Sequence, residues 1–167
     1  MKASRIGMGC MGFAGVYGPV NEAQAIRAVQ RALELGIDFF DTADVYGNGA
    51  SERLLGRALA GRRSQAFIAT KFGNIDHYGH LPVAQAFEGR WETNGSPEYA
   101  KRACEASLKR LGTEVIDLYY QHKDDESVPL ADSLGAFERL VEAGKIRAVG
   151  LSQFTAGRID EAMETAR

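Results

Sequence analysis

Short apolar runs alternate along this chain with longer segments whose apolar residues recur every three or four positions. The first pattern is typical of a buried β-strand and the second of a helix with one buried face. The sequence therefore predicts strands over residues 5–10, 39–44, 66–72, 115–122 and 146–151. It predicts helices over 21–35, 51–59, 96–111, 129–143 and 155–167. This strict alternation predicts a parallel sheet joined by right-handed crossovers.

Capping residues mark several of the predicted helix ends. Asn21 is a predicted N-cap, and Ser96 followed by Pro97 places an N-cap directly before a proline in the first turn. Glycines follow four of the helices, at positions 36, 61, 112 and 144, which fits the chain's 19 glycines among 167 residues. In the last helix, spacing predicts that Ile159 and Met163 face inward.

Each strand–helix unit occupies roughly 30 residues, the repeat length of a (β/α)₈ barrel, which typically needs about 250 residues. The 167 residues of this chain supply five such units. The expected fold class is therefore α/β, a (β/α)₈ TIM-barrel type that is incomplete, with five βα units present. Such a sheet has open edges at its first and fifth strands, so we expect the chain either to be an excerpt of a longer protein or to self-associate through these edges.

Charge and composition narrow the functional classes. Lys and Arg number 20 against 22 Asp and Glu, a net charge of −2, which gives no electrostatic case for nucleic acid or an anionic membrane. No apolar run is long enough to span a membrane. The two cysteines, Cys10 and Cys104, lie far apart in sequence, which favours a reducing, cytoplasmic location.

One connection is unusually long. Residues 73–95 separate the third strand from its helix and carry Tyr78, Phe87 and Trp91. Such a loop either walls a binding pocket or is a mobile excursion, and the sequence leaves both open. His77 and His80 lie in it without another clear metal ligand, so we interpret their spacing as incidental.

Polar residues end every strand after the first. Asp41 to Asp44 follow the second strand, with Tyr46 just beyond; Lys71 ends the third, His122 the fourth, and Ser152 and Gln153 the fifth. In a parallel barrel the C-terminal strand ends face one mouth. We therefore expect an acid, a phenol, an amine, an imidazole and an amide to converge there. Paired carboxylates or a metal triad, which other TIM-barrel chemistries need, do not sit at these ends.

Four blocks of the sequence carry a family resemblance. GIDFFDTADVYGNGASERLLG (36–56) resembles the signature of the aldo-keto reductases, and ATKFG (69–73), DLYYQHKDD (117–125) and GKIRAVGLSQF (144–154) match later blocks of that family in order and spacing. The resemblance covers nearly the whole chain. It implies that residues 1–167 form a single domain, the N-terminal part of an aldo-keto reductase barrel.

The resemblance implies a catalytic tetrad of Asp41, Tyr46, Lys71 and His122. Reduction of a carbonyl needs a proton on oxygen, and a phenol is a weak acid with a reference pKa of about 10. A neighbouring ammonium favours the phenolate, so Lys71 would assist Tyr46 as the proton donor. Asp41 would pair with Lys71, and His122 would orient the carbonyl oxygen by hydrogen bonding.

The resemblance also implies a nicotinamide cofactor, NADP being the family's commoner choice, with NAD left open. It places the nicotinamide against Cys10, Met11, Asp41, Ser152 and Gln153. The family usually has Asn where Gln153 stands, so the longer side chain must be accommodated there.

The implied function is NAD(P)H-dependent reduction of aldehydes or ketones, with a small carbonyl compound as substrate. The alternative is a catalytically incompetent barrel fragment, or a binding subunit that folds by association. By resemblance, the residues that stack on the nicotinamide ring and grip the adenosine phosphates belong to later parts of the barrel.

Overall fold

The computed structural model describes residues 2–75 and 92–165. Its centre is a five-stranded parallel sheet. The strands are β1 (Gly7–Gly9), β2 (Phe39–Asp41), β3 (Phe67–Phe72), β6 (Ile116–Gln121) and β7 (Ile146–Leu151), adjacent in that order. All five predicted strands are confirmed, and sequential strands lie side by side as in the opening units of a (β/α)₈ barrel.

Helices connect and cover these strands. They are α1 (Glu22–Glu34), α2 (Ala50–Ala58), α3 (Pro97–Leu111), α4 (Leu130–Glu142) and α5 (Ala156–Thr165). The predicted caps form: Asn21 accepts a hydrogen bond from the Gln24 amide at 3.0 Å, and the Ser96 hydroxyl accepts one from the Tyr99 amide at 3.3 Å. Such bonds satisfy amide donors that the first helical turn leaves unpaired.

The outer face of the sheet packs against the helices and forms the core. Alternation along the strands directs Phe40, Ile68, Phe72 and Tyr119 to this face, and all four are fully buried. Phe72 stacks on Tyr119 with ring centroids 5.0 Å apart, and both rings meet Phe137 of α4 edge-on. This aromatic cluster fixes α4 against the centre of the sheet.

The inner face of the sheet is only partly covered. Phe39 and Phe67 pack edge-to-face with centroids 5.3 Å apart, yet both remain partly exposed. Leu118, Tyr120 and Ala148 on the same face are also partly exposed. Strands β1 and β7 each pair with one neighbour in the described sheet, so each leaves one backbone edge unpaired within it.

The last helix departs from the sequence expectation. Ile159 and Met163 are 42% and 61% exposed, whereas Ala162 is buried, so the predicted inward orientation of the two larger residues is wrong. Helix α5 packs against α4. Periodicity identified an apolar stripe on α5, but it could not identify which neighbour would cover that stripe.

The long connection begins and ends in a small antiparallel pair. Asn74–Ile75 (β4) pairs with Glu92–Thr93 (β5), where the sequence indicated only a loop. Tyr78, Phe87 and Trp91, together with His77 and His80, lie outside the described residues. Within the described part of the chain, no helix is long and apolar enough to cross a membrane.

We propose that the exposed inner face and the free edges of β1 and β7 are covered by a second copy when this chain is alone in solution. Sedimentation of the 167-residue chain is then expected to show dimers or larger species. Ala148→Lys, which places a charge on the inner face, should shift the distribution towards monomer. The control Ala131→Lys, at an exposed position on α4, should leave it unchanged. A cooperatively folded monomer at all concentrations would contradict the proposal.

Candidate active site

An ion pair between a buried lysine and a partly exposed aspartate joins the ends of two neighbouring strands. Lys71, on β3, is 7% exposed, and its ammonium donates a hydrogen bond to the Asp41 carboxylate at the end of β2. The same Nζ donates to the Thr42 carbonyl oxygen at 2.8 Å. Two oxygen ligands from one strand end therefore hold the ammonium in place, which compensates for its removal from water.

Tyr46 lies in the turn that follows β2. Its amide donates to the Ala43 carbonyl at 3.2 Å, and the next three residues, Gly47, Asn48 and Gly49, all have positive φ. Two of these left-handed positions are glycines, which adopt such angles without steric cost. The turn brings the Tyr46 ring beside the ion pair, with Lys71 Nζ 5.2 Å from the ring centroid, a cation–π distance.

His122 follows β6 and closes the cluster from the other side. Its amide donates to the Phe72 carbonyl at 2.7 Å, and its ring meets the Tyr46 ring edge-on with centroids 5.8 Å apart. Burial, together with the positive charge of Lys71, lowers the pKa of His122 to about 4. The imidazole is therefore neutral at physiological pH. Its Nδ1 is buried and has no hydrogen-bond partner within the described structure.

The predicted convergence is thus present: Asp41, Tyr46, Lys71 and His122 form one cluster at the C-terminal ends of β2, β3 and β6. Chemically, the cluster offers a phenol beside a fixed positive charge and a neutral imidazole. Such an arrangement can donate a proton to, and hydrogen-bond with, an oxygen that gains negative charge.

Ser152 and Gln153 follow β7 next to this cluster. The Ser152 amide donates to the Gln121 carbonyl at 2.9 Å, and Gln153 Nε2 donates to the His122 carbonyl at 3.3 Å. Gln153 has a φ of 55°, a left-handed conformation in which Asn is more common than Gln. The chain thus places both residues beside His122.

Cys10 and Met11 follow β1, where Met11 begins a short 3₁₀ turn and is partly exposed. The Cys10 side chain is fully buried, and burial, reinforced by the Asp41 carboxylate, raises the pKa of its thiol to about 12. Its backbone N–H and C=O are bonded to the Asp41 carbonyl and to the Ser51 hydroxyl. The thiol is therefore a packing group, and a cofactor contact at this position stays a prediction.

Sequence reasoning missed a second layer of buried polar residues behind the cluster. Thr42, Ser51, Glu52 and Thr70 are all 0% exposed and hydrogen-bonded to one another or to neighbouring strands. A signal was present in the sequence: Ser51 and Glu52 lie in the first turn of α2, one residue before the apolar pair Leu54 and Leu55.

The described residues contain neither a cluster of metal-ligand side chains nor a disulfide. Across residues 2–75 and 92–165, no three His, Cys, Asp or Glu side chains are grouped so that they could hold a metal ion. Cys10 and Cys104 are both buried and unpaired.

Comparison with known proteins gives a consistent result. The model of the aldo/keto reductase family matches residues 5–167. A probable aldo-keto reductase of Glycine max is 45% identical over 154 residues, which are 91% of this chain and 42% of that protein.

Among solved structures, the holo form of an aldo-keto reductase from Bacillus halodurans is 36% identical, with a TM-score of 0.83, over 98% of this chain and 50% of that one. An aldo/keto reductase from Klebsiella pneumoniae in complex with NADP and acetate is 26% identical, with a TM-score of 0.75, over 98% of this chain and 49% of that one.

The chain therefore spans about half the length of the relatives that it matches. What it shares with the two solved structures is the strand–helix architecture described above, which corresponds to about half of each of those chains. The family match over residues 5–167, supported by the Glycine max and Bacillus halodurans relatives and by the ordered strand–helix units, establishes that this chain belongs to the aldo/keto reductase family.

Proposed function

We propose that the protein carrying this chain reduces aldehydes or ketones to alcohols with NADPH, and that Tyr46 is the proton donor. The observation that best supports this proposal is the position of Lys71: its ammonium is hydrogen-bonded to Asp41, and its Nζ lies 5.2 Å from the centroid of the Tyr46 ring. An oxidoreductase role follows from the family. The reduced nicotinamide, when bound, supplies the hydride that reaches the carbonyl carbon.

Each of the four clustered side chains has its own role in the proposed proton transfer to the carbonyl oxygen. Tyr46 gives its hydroxyl proton to the carbonyl oxygen as the C–O double bond becomes a single bond. The Lys71 ammonium stabilises the negative charge that this transfer leaves on the phenol oxygen, and Asp41 keeps the ammonium in position. His122, neutral above about pH 4, is suited to hydrogen-bond the same carbonyl oxygen without adding a second positive charge.

Ser152 and Gln153 would hold the nicotinamide carboxamide, with Met11 and Asp41 beside it. A carboxamide has two N–H donors and one acceptor, and the Ser152 hydroxyl and the Gln153 amide offer matching groups at the mouth. The residues present therefore fit this end of the cofactor. NADP is the proposed form, supported by the NADP complex of the Klebsiella pneumoniae relative. Two buried, unpaired cysteines support a reducing, cytoplasmic setting.

A binding role without catalysis is the second candidate. It is favoured by the partly exposed inner face of the sheet. Titration of NADPH into the 167-residue chain, followed by nicotinamide fluorescence, separates the candidates. Micromolar binding together with aldehyde-dependent NADPH oxidation supports the enzyme. Binding without oxidation supports a binding subunit, and the absence of both supports a fragment that needs further chain.

Tyr46→Phe removes only the hydroxyl that is proposed to donate the proton. We expect the rate of NADPH oxidation with a short aliphatic aldehyde to fall by about 10²–10⁴-fold, with NADPH affinity retained, because general acid catalysis contributes on that scale. Tyr17→Phe, at a tyrosine that is 80% exposed, is the matched control and should keep the parental rate. An unchanged rate in Tyr46→Phe would exclude Tyr46 as the acid.

Gln153→Ala removes the proposed carboxamide contact and the bond to the His122 carbonyl. We expect the Kd for NADPH to rise by about 3–10-fold, the equivalent of one hydrogen bond. Gln65→Ala changes an exposed residue that precedes the N-terminal end of β3, away from the candidate site, and should leave the Kd for NADPH unchanged. If the parent protein, Gln153→Ala and Gln65→Ala bind NADPH with equal Kd, Gln153 does not contact the cofactor.

The buried environment of His122 predicts an unusual titration. Because burial and Lys71 both disfavour the imidazolium, its ¹⁵N ring shifts should remain those of a neutral ring from pH 8 to about pH 5, with a midpoint near 4. The unfolded chain takes up this proton near pH 6.5, so this histidine destabilises the fold as the pH falls from 6.5 towards 4. Lys71→Met should raise the midpoint only part of the way, since burial is the larger cause. A midpoint near 6.5 in the parent would contradict the described packing.

A further inference from the structure

A chain of buried polar side chains lies behind the Asp41–Lys71 pair, on the outer side of the sheet, and has no part in the proton transfer just described. Its members are Thr42, Ser51, Glu52 and Thr70, all fully buried, together with Arg110 of α3. Burying a carboxylate is costly unless it is fully paired, so this arrangement calls for a physical explanation.

The first turn of α2 supplies the centre of this chain. Ser51 donates a hydrogen bond to the Cys10 carbonyl at 2.7 Å, and its oxygen lies 2.8 Å from the Thr42 hydroxyl. Since the Ser51 proton is used towards Cys10, Thr42 is the donor in the second bond. One serine therefore ties the end of β1 to the end of β2.

Glu52, the next residue, connects the first turn of α2 to β3. One carboxylate oxygen accepts a hydrogen bond from Thr70 at 2.7 Å, and the other accepts one from Arg110 Nε at 2.5 Å. Arg110 reaches Glu52 by crossing over Gly49, where a Cβ atom would lie 2.3 Å from the arginine Cδ. Helices α2 and α3 and strand β3 are thus joined at one carboxylate, and the turn after Tyr46 packs against the arginine that completes it.

The two threonines that bond to Ser51 and Glu52 are adjacent in sequence to the residues of the ion pair. Thr42 follows Asp41 and Thr70 precedes Lys71, so alternation puts the threonines on the outer face and the charged pair on the inner face. The Thr42 carbonyl also accepts a hydrogen bond from Lys71 Nζ. Fixing the two threonines from outside therefore fixes the two charged residues inside.

We propose that Ser51 and Glu52 are positioning residues, which hold Asp41 and Lys71 in register through Thr42 and Thr70. The catalytic part of this inference rests on the proposed function. The structural part, the placement of the Lys71 ammonium, can be tested without any activity.

The chain offers a matched control at the opposite end of the sheet. Asp117 is 2% exposed, accepts hydrogen bonds from Arg63 and from the Ile68 amide, and also pairs with Arg147. It resembles Glu52 in burial and arginine pairing, but it lies at the N-terminal ends of the strands. Asp117→Asn should therefore lower stability without disturbing the ion pair at the mouth.

The test compares Thr70→Val and Ser51→Ala with Thr70→Ser and Asp117→Asn. Thr70→Val keeps the volume but removes the bond to Glu52, whereas Thr70→Ser keeps that bond. Thr70→Val and Ser51→Ala should each lower kcat for aldehyde reduction by about 10–100-fold, with KM for NADPH within about twofold, since small displacements of catalytic groups cost this much. Thr70→Ser and Asp117→Asn should retain kcat, even where Asp117→Asn lowers the unfolding midpoint.

The ¹⁵N signal of the Lys71 ammonium, assigned with Lys71→Met, provides the readout that does not depend on turnover. We expect Thr70→Val and Ser51→Ala to shift or broaden this signal, and Thr70→Ser and Asp117→Asn to preserve it. An unchanged signal in both of the first two variants overturns the proposal. If the parent shows no carbonyl reduction, the proposed function fails, while the ammonium signal still decides whether the network positions Lys71.

Discussion

A lysine ammonium that is withdrawn from water needs oxygen ligands close by, and much of this site is arranged to provide them for Lys71. Its two ligands, the Asp41 carboxylate and the Thr42 carbonyl, come from consecutive residues at the end of the neighbouring strand. This is possible only because β2 and β3 run parallel and in a register that pairs Asp41 with Ala69, two residues before Lys71. The sheet register is therefore a condition for the charge pair, and the charge pair sets the environment of Tyr46 and His122.

The two faces of the sheet serve different purposes. The outer face is close-packed, with Phe72, Tyr119 and Phe137 in one aromatic cluster, and it supplies the rigidity that a precise site requires. The inner face carries Asp41, Lys71 and His122 among partly exposed apolar side chains. Burial of His122 at the rim, together with the charge of Lys71, lowers the pKa of its ring and keeps it neutral. A hydrogen-bonding group with no charge and a fixed ammonium thus coexist near one phenol.

Much of the fold could be predicted from local signals. Ser96 followed by Pro97 begins α3 where a helix start was expected, and Asn21 caps α1, because caps depend on residues within one turn. The orientation of Ile159 and Met163 could not be predicted, because it depends on which distant element covers the helix. The same limit applies to β4 and β5, whose pairing joins residues 74–75 to 92–93 across a segment with no strand periodicity.

The candidate site divides in the same way. By itself the sequence determined the alternating strands and helices, and the resemblance of its four blocks to the family implied Asp41, Tyr46, Lys71 and His122 as the candidate tetrad. Only the tertiary structure decided that Gln153 turns its amide to the His122 carbonyl, that the Cys10 side chain is fully buried, and that Ser51 and Glu52 bond to residues of three strands or their ends. The physical reason is that hydrogen bonds and burial depend on which segments meet in space, and spacing along the chain does not encode that meeting.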